Sequence, residues 1–126
     1  MKKACVFLLL VLAVGCRTKL NEEMVVNVGG GESQYRMVDP IAKEQKVNVS
    51  AKAIGGTFSI YVFLEKDKEE AQKGIDLNKI GDKVLANKQK TADAELQVTI
   101  PANQKATVLL TSGDGKKAEV KLKISN

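Results

Sequence analysis

An alternation of apolar and polar residues with a period of two most constrains the fold of this chain. Segments 46–54, 92–100 and 118–124 each place apolar side chains at every second position and polar side chains between them. Because successive side chains of a β-strand point to opposite faces of a sheet, each segment is expected to form a strand with one buried face. Three such segments in one short chain indicate a protein built from sheets.

Residues typical of turns separate these segments and delimit further strands. The alternation is interrupted at Asp39-Pro40, Gly55-Gly56, Pro101 and Asp114-Gly115. Proline and glycine at such places end a strand or favour a tight turn. Further strands are expected at 34–38, 57–64 and 105–111, with shorter ones at 24–28 and 84–86. This pattern predicts an all-β fold, a small antiparallel β-sandwich of the jelly-roll or immunoglobulin-like kind.

Segment 57–64 differs from the others because both of its faces carry apolar residues. One face holds Phe58, Ile60, Val62 and Leu64, and the other includes Tyr61 and Phe63. We expect a central strand that is packed on its inner face and partly covered on its outer face. Tyr61 and Phe63 are interpreted as packing under the 65–86 insertion, and an exposed binding patch is the alternative.

Residues 65–82 interrupt the strand pattern and are expected to contain one short helix. The spacing predicts the helix over 65–74, because Asp67 and Glu70 stand at capping-box spacing and Gly74 stands where a helix often ends.

The loop that follows the helix has a weak likeness to a calcium-binding loop. Counted from Asp76, the fifth and twelfth ligand positions are Ile80 and Asn87, so two ligands are lost, including the bidentate carboxylate. We therefore interpret residues 76–82 as a solvated loop.

The absence of histidine and tryptophan removes several functional classes. Without an imidazole the chain has no histidine base, no zinc-ligating histidine and no histidine-activated nucleophile. The carboxylates at 65–70 stand among lysines, and Asp93 and Glu95 belong to the polar side of a strand. We therefore expect no catalytic residues, no metal site, no cofactor and no enzymatic activity, with a small carboxylate-based hydrolase as the disfavoured alternative.

The positive charge is modest and is distributed along the chain. The formal net charge is +5, from 20 basic and 15 acidic residues. Nucleic-acid-binding proteins usually concentrate such charge and add stacking aromatic residues, and aromatic residues make up 4% of this chain. We expect no nucleic-acid partner.

The N-terminus has the features of an export signal. Lys2 and Lys3 precede an apolar run over residues 4–14, which is shorter than the roughly 20 residues that span a bilayer. The run ends in Leu12-Ala13-Val14-Gly15-Cys16, which resembles the bacterial lipobox, although alanine stands at 13 where leucine is commonest. This resemblance implies cleavage before Cys16 and attachment of lipid to the Cys16 thiol.

The lipobox interpretation divides the chain into three parts. Residues 1–15 are the expected lipoprotein signal peptide, 16–33 a lipidated tether with a possible short strand, and 34–126 the β-sandwich domain. Whether residues 24–28 join the sandwich is left open. The alternative to lipidation is an ordinary secretory signal cut near Gly15, which would leave the Cys16 thiol free.

The expected location is the cell envelope, where acylated Cys16 would hold the protein to membrane lipid. Two or more acyl chains give stable anchoring, whereas one gives marginal binding. In some bacteria with two membranes, an aspartate directly after the lipidated cysteine retains a lipoprotein in the inner membrane. Arg17 stands at that position here, which would permit export to the outer membrane or cell surface.

The last predicted hairpin is rich in lysine, with Lys116, Lys117, Lys121 and Lys123. We interpret these lysines as protection of an exposed edge strand against aggregation. Contact with anionic lipid or an acidic polymer is the alternative.

The order of the predicted elements resembles the bacterial pre-peptidase C-terminal family of β-sandwiches. The resemblance covers roughly residues 34–124 and rests on Tyr35, the strand 46–53, the pair Tyr61-Val62 and the segment 101–124. It implies a non-catalytic accessory domain that assists secretion, adhesion or substrate contact. Some members bind calcium near the tyrosine-containing strand, but Thr57 and Ser59 stand there in this sequence, so no calcium site is carried over.

These observations lead to one functional expectation and one alternative. The chain is expected to be a lipid-anchored, non-catalytic β-sandwich of the cell envelope that binds a protein or polysaccharide partner. The alternative is a structural or assembly subunit of an envelope complex, with a strand edge paired to a neighbour.

Overall fold

A computed structural model describes residues 20–126, so Cys16 and the expected signal peptide lie outside the described residues. The described part forms eight strands, a 3-10 turn at Glu65–Asp67 and one helix, α1 (Lys68–Asp76). The strands are β1 (Asn21–Val28), β2 (Ser33–Val38), β3 (Gln45–Gly55), β4 (Phe58–Leu64), β5 (Val84–Thr91), β6 (Asp93–Ile100), β7 (Ala106–Ser112) and β8 (Ala118–Ser125).

The eight strands form two four-stranded antiparallel sheets. Sheet A has the order β1-β8-β3-β6, and sheet B has the order β2-β7-β4-β5. This alternation of the chain between two sheets is the jelly-roll arrangement. The prediction of a small antiparallel β-sandwich with one short helix is confirmed.

The hydrophobic core lies between the inner faces of the two sheets. It takes alternate side chains of the strands, as the period-two pattern requires. Its largest fully buried members include Phe58, Ile60, Ile100, Leu110, Leu122 and Ile124. Burial of one such side chain contributes roughly 1.5–3 kcal/mol, so this layer dominates the stability of the sandwich.

The first strand starts earlier than the sequence pattern indicates. Residues 21–23, which we expected in a polar tether, belong to β1, and the whole strand pairs with β8 from Asn21↔Ser125 to Val28↔Ala118. Backbone hydrogen bonds make this pairing, so the polar side chains at 21–23 do not prevent it. The Lys121 ammonium also lies 3.1 Å from the Glu23 carboxylate.

The lysine-rich strand β8 is not an edge strand. It lies between β1 and β3 in the middle of sheet A, and β1 and β6 form the edges. Our interpretation of Lys121 and Lys123 as edge protection is therefore wrong. Their side chains lie on the outer face of the sheet because they alternate with the buried Val120, Leu122 and Ile124.

The three consecutive glycines form a specific turn from sheet A to sheet B. Glu32 N–H donates to the Gly29 carbonyl oxygen at 3.0 Å, and Gly31 has a φ of +80°, a backbone conformation that glycine adopts without strain. A Cβ atom on Gly30 would lie 2.2 Å from the Gly115 carbonyl oxygen. Glycine at 30 therefore allows the β1–β2 and β7–β8 turns to pack together.

Helix α1 differs from its prediction at both ends. It begins at Lys68 after the 3-10 turn, and the Asp67 side chain makes no capping hydrogen bond but approaches the Lys83 ammonium at 3.9 Å. Gly74 lies inside the helix, which continues to Asp76. A Cβ atom at Gly74 would lie 2.7 Å from the Lys79 carbonyl oxygen, so glycine is needed here for close packing of the following loop.

Candidate functional site

The aromatic part of the outer face of sheet B is covered and is not available for binding. Helix α1 and the loop after it pack over this face in a second hydrophobic cluster that contains Tyr61, Phe63, Ala71, Val84 and Leu109. Phe63 is fully buried and Tyr61 is 6% exposed. The interpretation that these two residues pack under the insertion is confirmed, and the alternative of an exposed aromatic patch is wrong.

Polar contacts fix α1 on sheet B. The Tyr35 hydroxyl donates to the Gln72 side-chain oxygen at 3.1 Å, and the Lys68 ammonium lies 5.3 Å from the centroid of the Tyr35 ring. At the start of the insertion, the buried Thr107 hydroxyl donates to the Glu65 carboxylate at 2.7 Å. Two of the carboxylates that we considered as catalytic candidates are therefore bound to neighbouring side chains. The Glu65 carboxylate accepts from Thr107, and the Asp67 carboxylate faces the Lys83 ammonium.

Across the outer face of sheet A, in contrast, no helix or loop of residues 20–126 is packed, and we call it the polar face. Strand register arranges its side chains in rows that cross the four strands. One row runs Asn21, Ser125, Asn48 and Gln97; the next Glu23, Lys123, Ser50 and Glu95; and a third Val25, Lys121, Lys52 and Asp93. Amides and hydroxyls form the first row, and charges of both signs occupy the other two.

A shallow depression of about 500 Å³ lies on the β3, β6 and β8 part of the polar face. Its lining consists of Asn48, Val49, Ser50, Glu95, Leu96, Gln97, Lys123 and Ser125. A second depression of about 240 Å³ shares Ser50 and Lys123 with the first and extends to Glu23, Lys52 and Lys121. The two together form a groove lined by amides, hydroxyls, carboxylates and ammonium groups.

The chemistry of this groove suits recognition by hydrogen bonds. The Asn48 and Gln97 side chains stand opposite each other on β3 and β6, and both are exposed. Each amide offers two donors and an acceptor, while Glu95 supplies only acceptors and Lys123 only donors. Such a set can contact a ligand that carries many hydroxyl or amide groups.

Asp93 and Glu95, which we considered as a carboxylate pair, both lie on the polar face as expected for strand positions two residues apart. Both are exposed, and Asp93 lies opposite Lys52 on β3. Within residues 20–126, no three Asp, Glu, Cys or His side chains gather as a metal site would require. In the same part of the chain, every buried side-chain nitrogen or oxygen has a hydrogen-bond partner.

The loop after α1 forms a separate depression of about 420 Å³ that includes Leu77, Lys79, Gly81 and Asp82. Leu77 is 61% exposed here. Segment 76–82, weighed as a calcium loop, thus lines an open surface. No helix within residues 20–126 has the length and apolarity needed to cross a bilayer.

Comparisons with known proteins identify the fold and leave the family open. No protein-family model and no curated protein sequence matches the chain. Among solved structures, the pre-peptidase C-terminal domain of a collagenase from Bacillus anthracis matches with a TM-score of 0.61 at 13% identity, over 83% of this chain and 89% of that one. The Yersinia pseudotuberculosis-derived mitogen matches with a TM-score of 0.58 at 3% identity, over 84% and 85% of the two chains.

These similarities agree with the fold part of the resemblance drawn from the sequence. The sandwich resembles a pre-peptidase C-terminal domain in its architecture. At such low identity the likeness extends to the fold alone, because one architecture carries many unrelated sites.

The polar face was not singled out from the sequence. Its signal was present in the polar positions of strands 46–54, 92–100 and 118–124, to which we assigned no common binding role. The pairing order β8-β3-β6 brings these positions into rows, and alternation within one strand does not predict which strands become neighbours.

Proposed function

We propose that this protein is a lipid-anchored, non-catalytic domain of the cell envelope that binds a protein or polysaccharide partner through the polar face of sheet A. The observation that carries the proposal is the contrast between the two outer faces. The aromatic centre of the outer face of sheet B is covered by α1 and its loop, whereas sheet A presents an open groove of hydrogen-bonding side chains.

The anchor part of the proposal is supported by sequence. The segment Leu12-Ala13-Val14-Gly15-Cys16 follows a basic start and a short apolar run. Lipoprotein acylation at Cys16 would supply at least two chains, enough for stable attachment.

The non-catalytic part of the proposal is supported by the chemistry of the groove. The chain has no histidine, and the groove carboxylates Glu23 and Glu95 lie on an open, water-accessible face. Catalytic carboxylates usually need burial or a like-charged neighbour to hold a proton near neutral pH.

Two measurements test the proposal in separate steps. The intact mass of the protein from its native membrane is expected to match Cys16–Asn126 plus diacylglycerol, with or without a further acyl chain. A mass for an unmodified chain cut near Gly15 would contradict the anchor.

The partner is tested by co-sedimentation of the mature chain with isolated cell-envelope material before and after protease treatment. Binding that survives both the protease and extraction of the lipids identifies a polysaccharide, and binding that is lost with the protease identifies a protein. The double variant Asn48→Ala/Gln97→Ala is expected to weaken binding by about tenfold, since each lost hydrogen bond contributes about 0.5–1.5 kcal/mol.

The chain offers a matched control on the other sheet. Asn87 and Gln89 are also an exposed asparagine and glutamine, and they lie on β5 of sheet B. Asn87→Ala/Gln89→Ala should leave binding unchanged. Equal loss in both double variants, or no binding to any envelope fraction, would overturn the proposed role of the polar face.

The second candidate is an assembly role through the edge of β1. This strand has eight residues, and among the described strands it pairs on one side only, with β8. Its Val25 side chain is 52% exposed, and an exposed edge can accept a strand from a neighbouring subunit. A protein that stays monomeric in native membrane extracts would contradict this candidate.

A further inference from the structure

One end of the sandwich is tied to the start of the described chain. Leu20 N–H donates to the Asn126 side-chain oxygen at 2.8 Å, and Asn126 N–H donates to the Leu20 carbonyl oxygen at 3.1 Å. Loops 39–44 and 101–105 lie at the same end and are joined by a hydrogen bond from Asn103 N–H to the Ile41 carbonyl oxygen at 2.7 Å. We call Leu20, Asn126 and these two loops the anchor end.

The opposite end of the sandwich is formed by the turns 29–32, 55–57 and 112–117, and we call it the far end. Gly30 and Gly115 are in close approach there, as are Gly56 and Lys117. The two ends are separated by the length of β1, which has eight residues and so extends over roughly 27 Å.

The distance between Cys16 and the anchor end is limited by covalent geometry. Only four Cα–Cα steps join Cys16 to Leu20, and a fully extended chain spans at most about 3.3–3.6 Å per residue. Whatever its conformation, this segment therefore holds Leu20 within roughly 14 Å of the Cys16 Cα atom. A lipid on Cys16 thus keeps the anchor end at the membrane surface.

The charge of the anchor end complements an anionic surface. Lys43 and Lys105 are exposed there, as are the carboxylates Asp39 and Glu44, and Glu65 adjoins this end because its N–H donates to the Lys105 carbonyl oxygen at 2.8 Å. The connecting segment adds Arg17 and Lys19. The excess of positive charge therefore lies in Arg17 and Lys19 beside the lipid attachment site, and anionic headgroups attract basic segments close to the bilayer.

An apolar side chain lies within this basic end. Ile41 lines a shallow depression of about 260 Å³ together with Lys43, Glu44, Gln45, Lys46 and Asn126, and it is partly exposed. An apolar group among basic ones is the combination found in segments that rest at the headgroup level of a membrane.

We propose that the anchor end rests on an anionic lipid surface and that the strands of the sandwich stand away from the bilayer. This inference depends on the proposed lipid anchor. In this orientation the polar face is perpendicular to the membrane plane, and the far end points away from the bilayer into the envelope space. A side-on arrangement would instead press the polar face against the anionic headgroups, and the rows of that face hold three carboxylates and three ammonium groups, so it carries no excess of positive charge.

The sequence provides a clean way to test the orientation. Cys16 is the only cysteine after residue 15, and the chain has no tryptophan. The mature chain can therefore be coupled through Cys16 to a maleimide lipid in vesicles that contain phosphatidylglycerol and a lipid with a nitroxide on its headgroup. Single tryptophan reporters are placed by Ile41→Trp at the anchor end and Ile54→Trp near the far end, where Ile54 is 60% exposed.

The end-on arrangement predicts that nitroxide quenches the fluorescence of the Ile41→Trp variant and leaves that of Ile54→Trp unchanged. Equal quenching of both reporters would show a side-on domain. Quenching of neither would show a domain that stands off the surface. Either result overturns the proposal.

The charge contribution is tested with a matched pair of double variants. Lys43→Glu/Lys105→Glu at the anchor end is expected to reduce quenching of the Ile41 reporter by roughly twofold or more, as should replacement of phosphatidylglycerol by a neutral lipid. Lys116→Glu/Lys117→Glu at the far end makes the same charge change and should have no such effect. Equal effects of the two variants would contradict the proposed contact.

A second measurement on the wild-type chain keeps the proposal testable if the Ile41→Trp variant does not fold. Acetylation of lysines on the vesicle-coupled wild-type chain, mapped by mass spectrometry, is expected to spare Lys43 and Lys105 relative to Lys116 and Lys117. The reverse order would overturn the proposal. Because the maleimide replaces the native lipid, this result is independent of the intact-mass measurement that tests acylation itself.

Discussion

The ammonium group of Lys68, at the start of α1, lies 5.3 Å from the centroid of the Tyr35 ring on β2. The hydroxyl of the same tyrosine donates to Gln72, one turn further along the helix. Tyr35 therefore binds the helix with both its ring and its hydroxyl. Strand β2 is an edge strand of sheet B, so this residue joins the rim of the sheet to the helix that covers it.

Tyr35→Phe should keep the ring contact and remove the hydrogen bond to Gln72. We expect it to lower the free energy of unfolding by about 0.5–1.5 kcal/mol, the usual range for such a bond. Urea denaturation of the wild type and the variant measures the difference. Gln72→Ala in the Tyr35→Phe background should add little, and a fully additive loss would show that the two residues act separately.

Phe63→Ala should disrupt the layer between sheet B and α1. Phe63 is fully buried in the second cluster, and such truncations cost about 3–5 kcal/mol. Hydrogen exchange is expected to show the largest loss of protection in α1, while strands of sheet A keep theirs. Leu77→Ala, at a position 61% exposed, is the control and should change stability by no more than about 0.5 kcal/mol.

Gly30→Ala should be destabilising although the change adds one methyl group at a turn. The new Cβ would lie 2.2 Å from the Gly115 carbonyl oxygen, so the two turns must move apart, at a cost of roughly 1–3 kcal/mol. Gly55→Ala is the matched control because nothing lies within 4 Å of its Cβ position. Thermal unfolding compares the two variants, and equal melting temperatures would contradict the close approach.

Thr107→Val should lower the free energy of unfolding, because it removes one buried hydroxyl. Thr107 is fully buried and its hydroxyl donates to the Glu65 carboxylate at 2.7 Å. Valine has nearly the same shape but leaves the carboxylate without this donor, which we expect to cost about 1–3 kcal/mol. The double variant Thr107→Val/Glu65→Ala should recover part of that loss. No recovery would mean that the hydroxyl acts through another contact.

The sequence predicted the sandwich because the core follows a local rule. Most alternate residues of 46–54, 92–100 and 118–124 are buried as their spacing indicated, although Ala53 and Leu96 are half-buried and Ala92 is exposed. The predictions that were wrong concern strands whose pairing partners are distant in the sequence. Residues 21–23 carry no apolar pattern, and they join β1 because the backbone of β8 pairs with them.

The candidate site was less predictable than the fold for the same reason. We interpreted Lys121 and Lys123 as residues of an edge strand. Strand β1 pairs with their strand, although its residues stand about a hundred positions earlier in the sequence. The polar rows depend on the register of three separate pairings. The fit of Gly30 against Gly115 also depends on two turns that only the complete sandwich brings together.

The paired hydrogen bonds between Leu20 and Asn126 have a practical consequence for engineering. Both ends of the described chain leave the sandwich at one pole, so a tag joined after Asn126 would emerge beside the N-terminal segment. On a membrane-anchored protein, such a tag would be crowded by the bilayer and poorly accessible to antibodies. An epitope inserted beside the exposed Ala92, in the β5–β6 turn, would instead emerge at the opposite pole without disturbing the close approach of Gly30 to Gly115.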